Sequence, residues 1–258
     1  MIDRIDLDHV AVAVERWSDA WPRYVAELGG RWLAGGEAPG FASAQLRYAN
    51  DMKLEVLAPY AIEDNDFLRR FLDASGPGPH HLTFKVPDLA AALAEVEAAG
   101  LDPVGVDLSD PEWKEAFLHP KQARGVVVQL AESHGSWASP APDGMPTPQR
   151  AEPARLAHVA HAVADLDDGL ALFAALLGGR EVDRGEDGDA RWVELAWPGP
   201  GRVRLLAPTS AASPVTELLG GRPGRVHHLA FTGSGAREPT VVAPEDNLGV
   251  RLVLRPPS

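Results

Sequence analysis

DHVAVAV, residues 8–14, decides the fold: β-branched valines alternate with small residues and one histidine, and the segment returns as AHVAHAV, residues 157–163. His9-Val10-Ala11 recurs as His158-Val159-Ala160, Leu28-Gly29-Gly30-Arg31 as Leu177-Gly178-Gly179-Arg180, and Leu57-Ala58-Pro59 as Leu206-Ala207-Pro208, all at one offset of 149. A constant offset over three separated motifs needs no gap and marks a tandem duplication. Further on, His80-His81-Leu82 returns as His227-His228-Leu229, and Pro120…Gly125 as Pro244…Gly249. The spacing shortens there, so the second copy is abridged. Between the copies, residues 133–154 are rich in Ser, Pro and Gly. Proline removes backbone donors and favours extended chain, so this stretch reads as a linker crossing the surface.

Each copy mixes two periodicities. Ile5 to Val14 alternates and predicts a strand. Trp17, Trp21, Tyr24, Val25 and Leu28 then share one helical face, which stops at Gly29-Gly30. Leu166, Leu170, Phe173, Ala174 and Leu177 form the same face in copy two. Phe41–Tyr48 and Lys53–Leu57 predict a hairpin around Asn50-Asp51, and Asp66–Ala74 a short helix ended by Gly76-Pro77. From His81 the course repeats: a strand to Val86, a helix capped by Asp88 with Leu89, Leu93 and Val96 inward, then strands near Val104, Phe117 and Val126–Leu130. Copy one is thus two βαβββ units in series. The last unit of copy two, His228–Leu254, is too short for its helix.

The 258 residues are 45% hydrophobic and 24% charged, enough for two cores of ordinary size. A formal net charge of −13 argues against a nucleic-acid surface. The absence of cysteine excludes disulfides, thiolate metal sites and cysteine nucleophiles. No apolar run approaches the ~18 residues of a membrane span, and MIDRIDLDHV does not read as a signal peptide. The expectation is a cytoplasmic protein with no nucleic-acid or membrane partner.

The residues with chemistry are polar side chains embedded in apolar strands. His9 shares a strand face with Ala11 and Ala13, which leaves a small, open face around the imidazole. Glu55 sits inside LEVLAP, Gln129 inside VVVQL, and His81 opens HLTFKV. Burying such groups unpaired costs about 1–3 kcal/mol each. One divalent cation could satisfy all four. Each also has a plainer reading: a strand histidine, a Glu55–Arg47 salt bridge, a hydrogen-bonded Gln129. Alternation against Leu82 and Phe84 selects His81 over His80 for the cavity side. His119-Pro120-Lys121 reads as a turn, and Trp113 and Phe117 as core.

DHVAVAV, KLEVLAP, PHHLTFKV and FLHPKQARGVVVQL together resemble the vicinal oxygen chelate superfamily, which includes glyoxalase I, extradiol dioxygenases and bleomycin-resistance proteins. The nearest resemblance is to methylmalonyl-CoA epimerase-like glyoxalase domains. It implies an α+β fold of tandem glyoxalase-like domains: a metal-site domain over 1–132, the linker over 133–154, and a degenerate domain over 155–258. It implies one divalent ion (Zn, Ni, Co, Mn or Fe) held by His9, Glu55, His81 and Gln129. It also implies a substrate pocket bordered by Trp113, Phe117, His119 and Lys121, the lysine meeting an anionic group. The implied activity is that of a metal-dependent lyase, isomerase or epimerase acting on a small carbonyl acid or thioester through a metal-stabilised enolate. An Fe(II)-dependent dioxygenase and a non-catalytic, resistance-type binding protein are the alternatives. The implied assembly is a monomer forming an intrachain pseudo-dimer, or a homodimer.

The chain departs from the family pattern at two ligands. The last-strand ligand is usually Glu and is linked to proton transfer, whereas this chain has Gln129, which cannot act as a base. The fourth-strand ligand in the epimerase is often Gln, whereas this chain has Glu55. An approximate twofold axis relates the two βαβββ units, so the exchange moves the only carboxylate to the other side of the metal. Glu55 is therefore the candidate for proton transfer. Copy two has His158, Arg204, His228 and Val253 at the equivalent positions and reads as structural, since arginine repels a cation and valine offers no lone pair.

Overall fold

The computed structural model describes residues 1–135 and 138–256. Residues of the first copy form β1 (Asp6–Ala13), β2 (Arg31–Ala38), β3 (Phe41–Arg47), β4 (Lys53–Ala58), β5 (Gly78–Lys85), β6 (Val104–Asp107), β7 (Trp113–Leu118) and β8 (Val127–Ser133). They make one mixed sheet in the order β2-β3-β4-β1-β5-β8-β7-β6. Residues of the second copy form β9 (Arg155–Val163), β10 (Arg180–Asp187), β11 (Ala190–Ala196), β12 (Arg202–Pro208), β13 (Gly224–Thr232), β14 (Thr240–Val242) and β15 (Leu252–Arg255). Their order, β10-β11-β12-β9-β13-β15-β14, repeats the first sheet with one strand fewer. The architecture is α+β with tandem βαβββ modules, and the last module runs from β13 to β15 with a single 3-10 turn at Pro244–Asp246 where a helix would stand.

β1 and β4 run parallel, with Val10 beside Leu54 and Val12 beside Val56, all fully buried. The helix that follows β1 differs from the regular α-helix that its 3.6-residue periodicity predicts. One turn, α1 (Trp17–Ala20), widens into a π-helix over Trp21–Glu27. Leu28 N donates to Arg23 O, five residues back. Copy two widens in the same way, over Ala171–Leu176. Copy one has Pro22 at the widening and copy two has Ala171 at that position, so the proline is not its cause. β2, the second strand of the βαβββ unit, shows no alternation in the sequence because Gly35 and Gly36 interrupt its pattern; it pairs with β3 through a register shift after Trp32.

The face of β1 that carries Ala11 and Ala13 is not open, contrary to the sequence reading. Helix α2 (Phe67–Ser75) lays Leu68 and Leu72 on those alanines and on Leu57, flanked by Phe41, Phe67 and Phe71. Small residues there are the seat of a helix. The next helix, α3 (Leu89–Ala98), is held at its start by two carboxylates: Asp88 accepts from Ala91 N, and buried Glu132 of β8 accepts from Leu89 N. That bond, with the Lys114 ammonium, holds the Glu132 carboxyl down at about 2.

Packing gathers the chain into two compact units, each drawn from both copies. One comprises Met1–Asp8, His81–Gly135 and His158–His227; the other comprises His9–His80, Ser136–Ala157 and His228–Ser258. Within the first, Phe84 meets Trp197 edge-on, and Gly125 (φ 85°) touches the Gly224 backbone where any Cβ would overlap a carbonyl oxygen. Within the second, Gly249 (φ 72°) meets Pro77 in the same way, and Tyr48 meets Phe231. The Pro-rich stretch is tied there by Ala154 N to Leu28 O (2.8 Å), Gln149 N to Ala26 O (2.9 Å) and Trp32 Nε1 to Ser139 O (2.8 Å).

His161 is fully buried in the first unit, with Nε2 on the Arg124 carbonyl at 2.7 Å. Burial holds this imidazole at about 4, below its ordinary 6.5. Between those values the unfolded chain binds a proton that the folded chain refuses, so stability falls as pH drops from about 6.5 to about 4. His161→Val installs the residue that copy one has at Val12. It is expected to remove this slope, on the order of 3 kcal/mol at most. Thermal unfolding of both proteins at pH 7 and pH 4 measures it; an equal pH gap in the two would exclude His161 as the source.

Candidate metal centre

Alternation along β1 directs His9 to one face, β4 brings Glu55 level with Ala11, and β5 supplies His81. One ligand atom from each of His9, Glu55 and His81 lies within 4.8 Å of the others, and no other such group of His, Asp or Glu occurs among the described residues. His9 Nε2 stands 3.4 Å from Glu55 Oε2. All three are buried, with His9 1%, Glu55 8% and His81 6% exposed. A carboxylate held out of water needs a compensating positive charge. Two imidazoles and one carboxylate are a donor set that divalent first-row metals accept, and they leave the ion a net positive charge. The residues present therefore fit such an ion. The Glu55–Arg47 salt bridge is absent: Arg47 is exposed and reaches Asp51 at 4.0 Å. His80 stacks against Phe71 (4.8 Å) and Phe67 of α2.

Gln129 lies on β8 in register with Thr83 of β5, two residues beyond His81 on the same strand face. Thr83 Oγ1 donates to Gln129 Oε1 at 2.5 Å, and Gln129 Nε2 donates to Glu115 Oε2 at 2.7 Å. Trp113 Nε1 donates to the same Glu115 oxygen at 2.9 Å, and Lys85 Nζ lies 3.9 Å over the Trp113 ring while bonding Ser133. Trp113 is therefore part of a polar chain and not simply core. Phe117 faces Gln129 across the β7–β8 pairing and is half-buried. His119 and Lys121 are exposed in the turn between β7 and β8, where Lys121 N donates to His119 Nδ1. Sequence reading did not single out Glu115 or Lys85. Period-two alternation from Trp113 and Phe117 would have placed Glu115 on the Gln129 face.

At the equivalent place in copy two, Arg204 replaces Glu55. Its Nη2 and Nε reach Glu194 Oε2 at 2.6 and 3.0 Å, and its guanidinium lies 4.2 Å over Trp192. His158 Nδ1 is 3.5 Å from the same Glu194 oxygen. The positive charge here belongs to a side chain. Val253 and Ala230 stand paired where copy one has Gln129 and Thr83.

The glyoxalase-like domain family matches residues 7–152. An uncharacterised protein of Bacillus subtilis (strain 168), YqjC, is 31% identical over 138 residues, covering 50% of this chain and 93% of that protein. A substituted 4-hydroxymandelate synthase from Streptomyces coelicolor superposes with a TM-score of 0.64 at 19% identity, over 88% of this chain and 70% of that one, which shows the tandem fold. Methylmalonyl-CoA epimerase from Mycobacterium tuberculosis matches at 27% identity over 50% of this chain and 89% of that one, with a TM-score of 0.45. The chain belongs to the glyoxalase-like, vicinal oxygen chelate family.

The Arg204–Glu194 pair keeps only 18% of each side chain exposed. Removing one partner strands the other charge, whereas removing both does not. Arg204→Met is expected to cost about 1–3 kcal/mol. The double variant Arg204→Met, Glu194→Met should cost less than Arg204→Met alone in urea unfolding. A double variant that is worse than the single one would refute the pairing as the source of the loss.

Proposed function

We propose that this member of the glyoxalase-like family is a metal-dependent lyase, isomerase or epimerase that acts on a small carbonyl acid or thioester by removing a proton next to the carbonyl. The observation that carries this reading is the buried meeting of His9, Glu55 and His81. These three residues would hold one divalent ion (Zn, Ni, Co, Mn or Fe), with the Gln129 amide oxygen as fourth protein ligand. Such an ion supplies Lewis acidity for negative charge developing on a carbonyl oxygen. Glu55 Oε1 accepts the proton from the substrate carbon, since Gln129 has no basic site. Trp113, Phe117, His119 and Lys121 border the pocket, with Lys121 at an anionic group of the substrate. Residues 1–132 carry the site, 133–154 connect, and 155–258 serve as the degenerate partner domain, so that the chain works as an intrachain pseudo-dimer.

A second reading, an Fe(II)-dependent dioxygenase, is favoured by the same two-His, one-carboxylate set. Metal content and oxygen uptake separate the two. Purified protein is expected to hold about one divalent ion per chain, and His9→Ala and His81→Ala should lose it. In heavy water the loaded protein is expected to exchange the α-proton of methylmalonyl-CoA or a smaller carbonyl acid without consuming oxygen. Glu55→Gln should keep most of the metal and lose about 100-fold or more in exchange. Full exchange in Glu55→Gln would remove Glu55 as the base, iron with oxygen uptake would select the dioxygenase, and ligand binding without metal would leave a resistance-type binding protein.

A further inference from the structure

We propose that Glu115 is a positioning residue of this centre: its carboxylate decides which end of the Gln129 amide faces the site. The inference rests on the reading that His9, Glu55 and His81 hold a divalent ion. A carboxamide has two ends of nearly equal shape, and only the oxygen end has a lone pair to offer a cation. Buried Gln129 must therefore be held against a flip. Thr83 cannot do this, because its hydroxyl donates or accepts as required. An ionised carboxylate can only accept, so Glu115 at 2.7 Å compels the NH2 end of Gln129 to face it. Trp113 Nε1 is a donor only, and its bond to the same Glu115 oxygen holds the carboxylate in place. The polarity of the chain is then fixed: Trp113 and Gln129 donate to Glu115, and Thr83 donates to Gln129 Oε1. That oxygen lies on the side of β5, the strand of His81, with one lone pair beyond the bond from Thr83. Copy two supports the linkage. Where Arg204 takes the position of Glu55, Val253 and Ala230 replace Gln129 and Thr83. The cation ligand and the amide assembly are lost together.

The test uses the full chain and Zn or Co as the metal probe. Glu115→Gln can donate as well as accept, so it no longer selects one end. The side-chain NH2 signal of Gln129, assigned by its absence in Gln129→Ala, is expected to shift in Glu115→Gln. Metal affinity should fall about 10–100-fold in Glu115→Gln, and the double variant Glu115→Gln, Gln129→Ala should bind no more weakly than Gln129→Ala. An unmoved amide signal, or losses that multiply in the double variant, would overturn the role of Glu115. Absence of metal from the wild type, with the amide signal still shifting, would refute the metal reading and leave Glu115 as the residue that orients Gln129. Thermal unfolding of each variant separates these effects from loss of fold.

Discussion

Two imidazoles and a carboxylate buried at one point of a sheet demand that charge be balanced inside the fold. His9, Glu55 and His81 come from three strands far apart in sequence and meet within 4.8 Å. On the strand beside β5, Gln129 is held by Thr83 and Glu115. Copy two has the same fold and meets the demand differently: the Arg204 guanidinium sits on Glu194 beside His158. The two copies are thus two solutions to one electrostatic problem, one open to a divalent ion and one closed by a covalently attached cation.

The position of the carboxylate gives this chain its own character within the family. Glu55 stands on β4 and an amide, Gln129, stands on β8. A carboxylate close to the Gln129 position survives one strand further out, as Glu115. Its Oε2 is committed to two donors, Trp113 Nε1 and Gln129 Nε2. Helix α2 covers Ala11 and Ala13, further along the same face of β1 as His9, with apolar side chains.

Much of this was legible in the sequence, for physical reasons. A gapless offset of 149 residues exposes the duplication, and a polar residue inside LEVLAP or VVVQL stands out because burial makes it costly. Alternation chose His81 over His80. Other features lacked such contrast. WKEAFL mixes charged and aromatic residues, so nothing in the sequence sets Glu115 apart. Glycines hid β2. The π-helix escaped because its period differs too little from 3.6 residues to show over two turns. Ala11 and Ala13 signalled a small face but not what fills it, since the covering helix lies more than fifty residues downstream.

Each compact unit takes its segments from both repeats, and this interleaving has an evolutionary consequence. In an assembly of identical subunits, a change of ligand is made in every copy at once, so no site can be surrendered alone. Joining two copies in one polypeptide breaks that symmetry. One half can then carry arginine where the other has glutamate, and do without one helix, while still supplying packing to both units. The other half keeps the buried His9, Glu55 and His81.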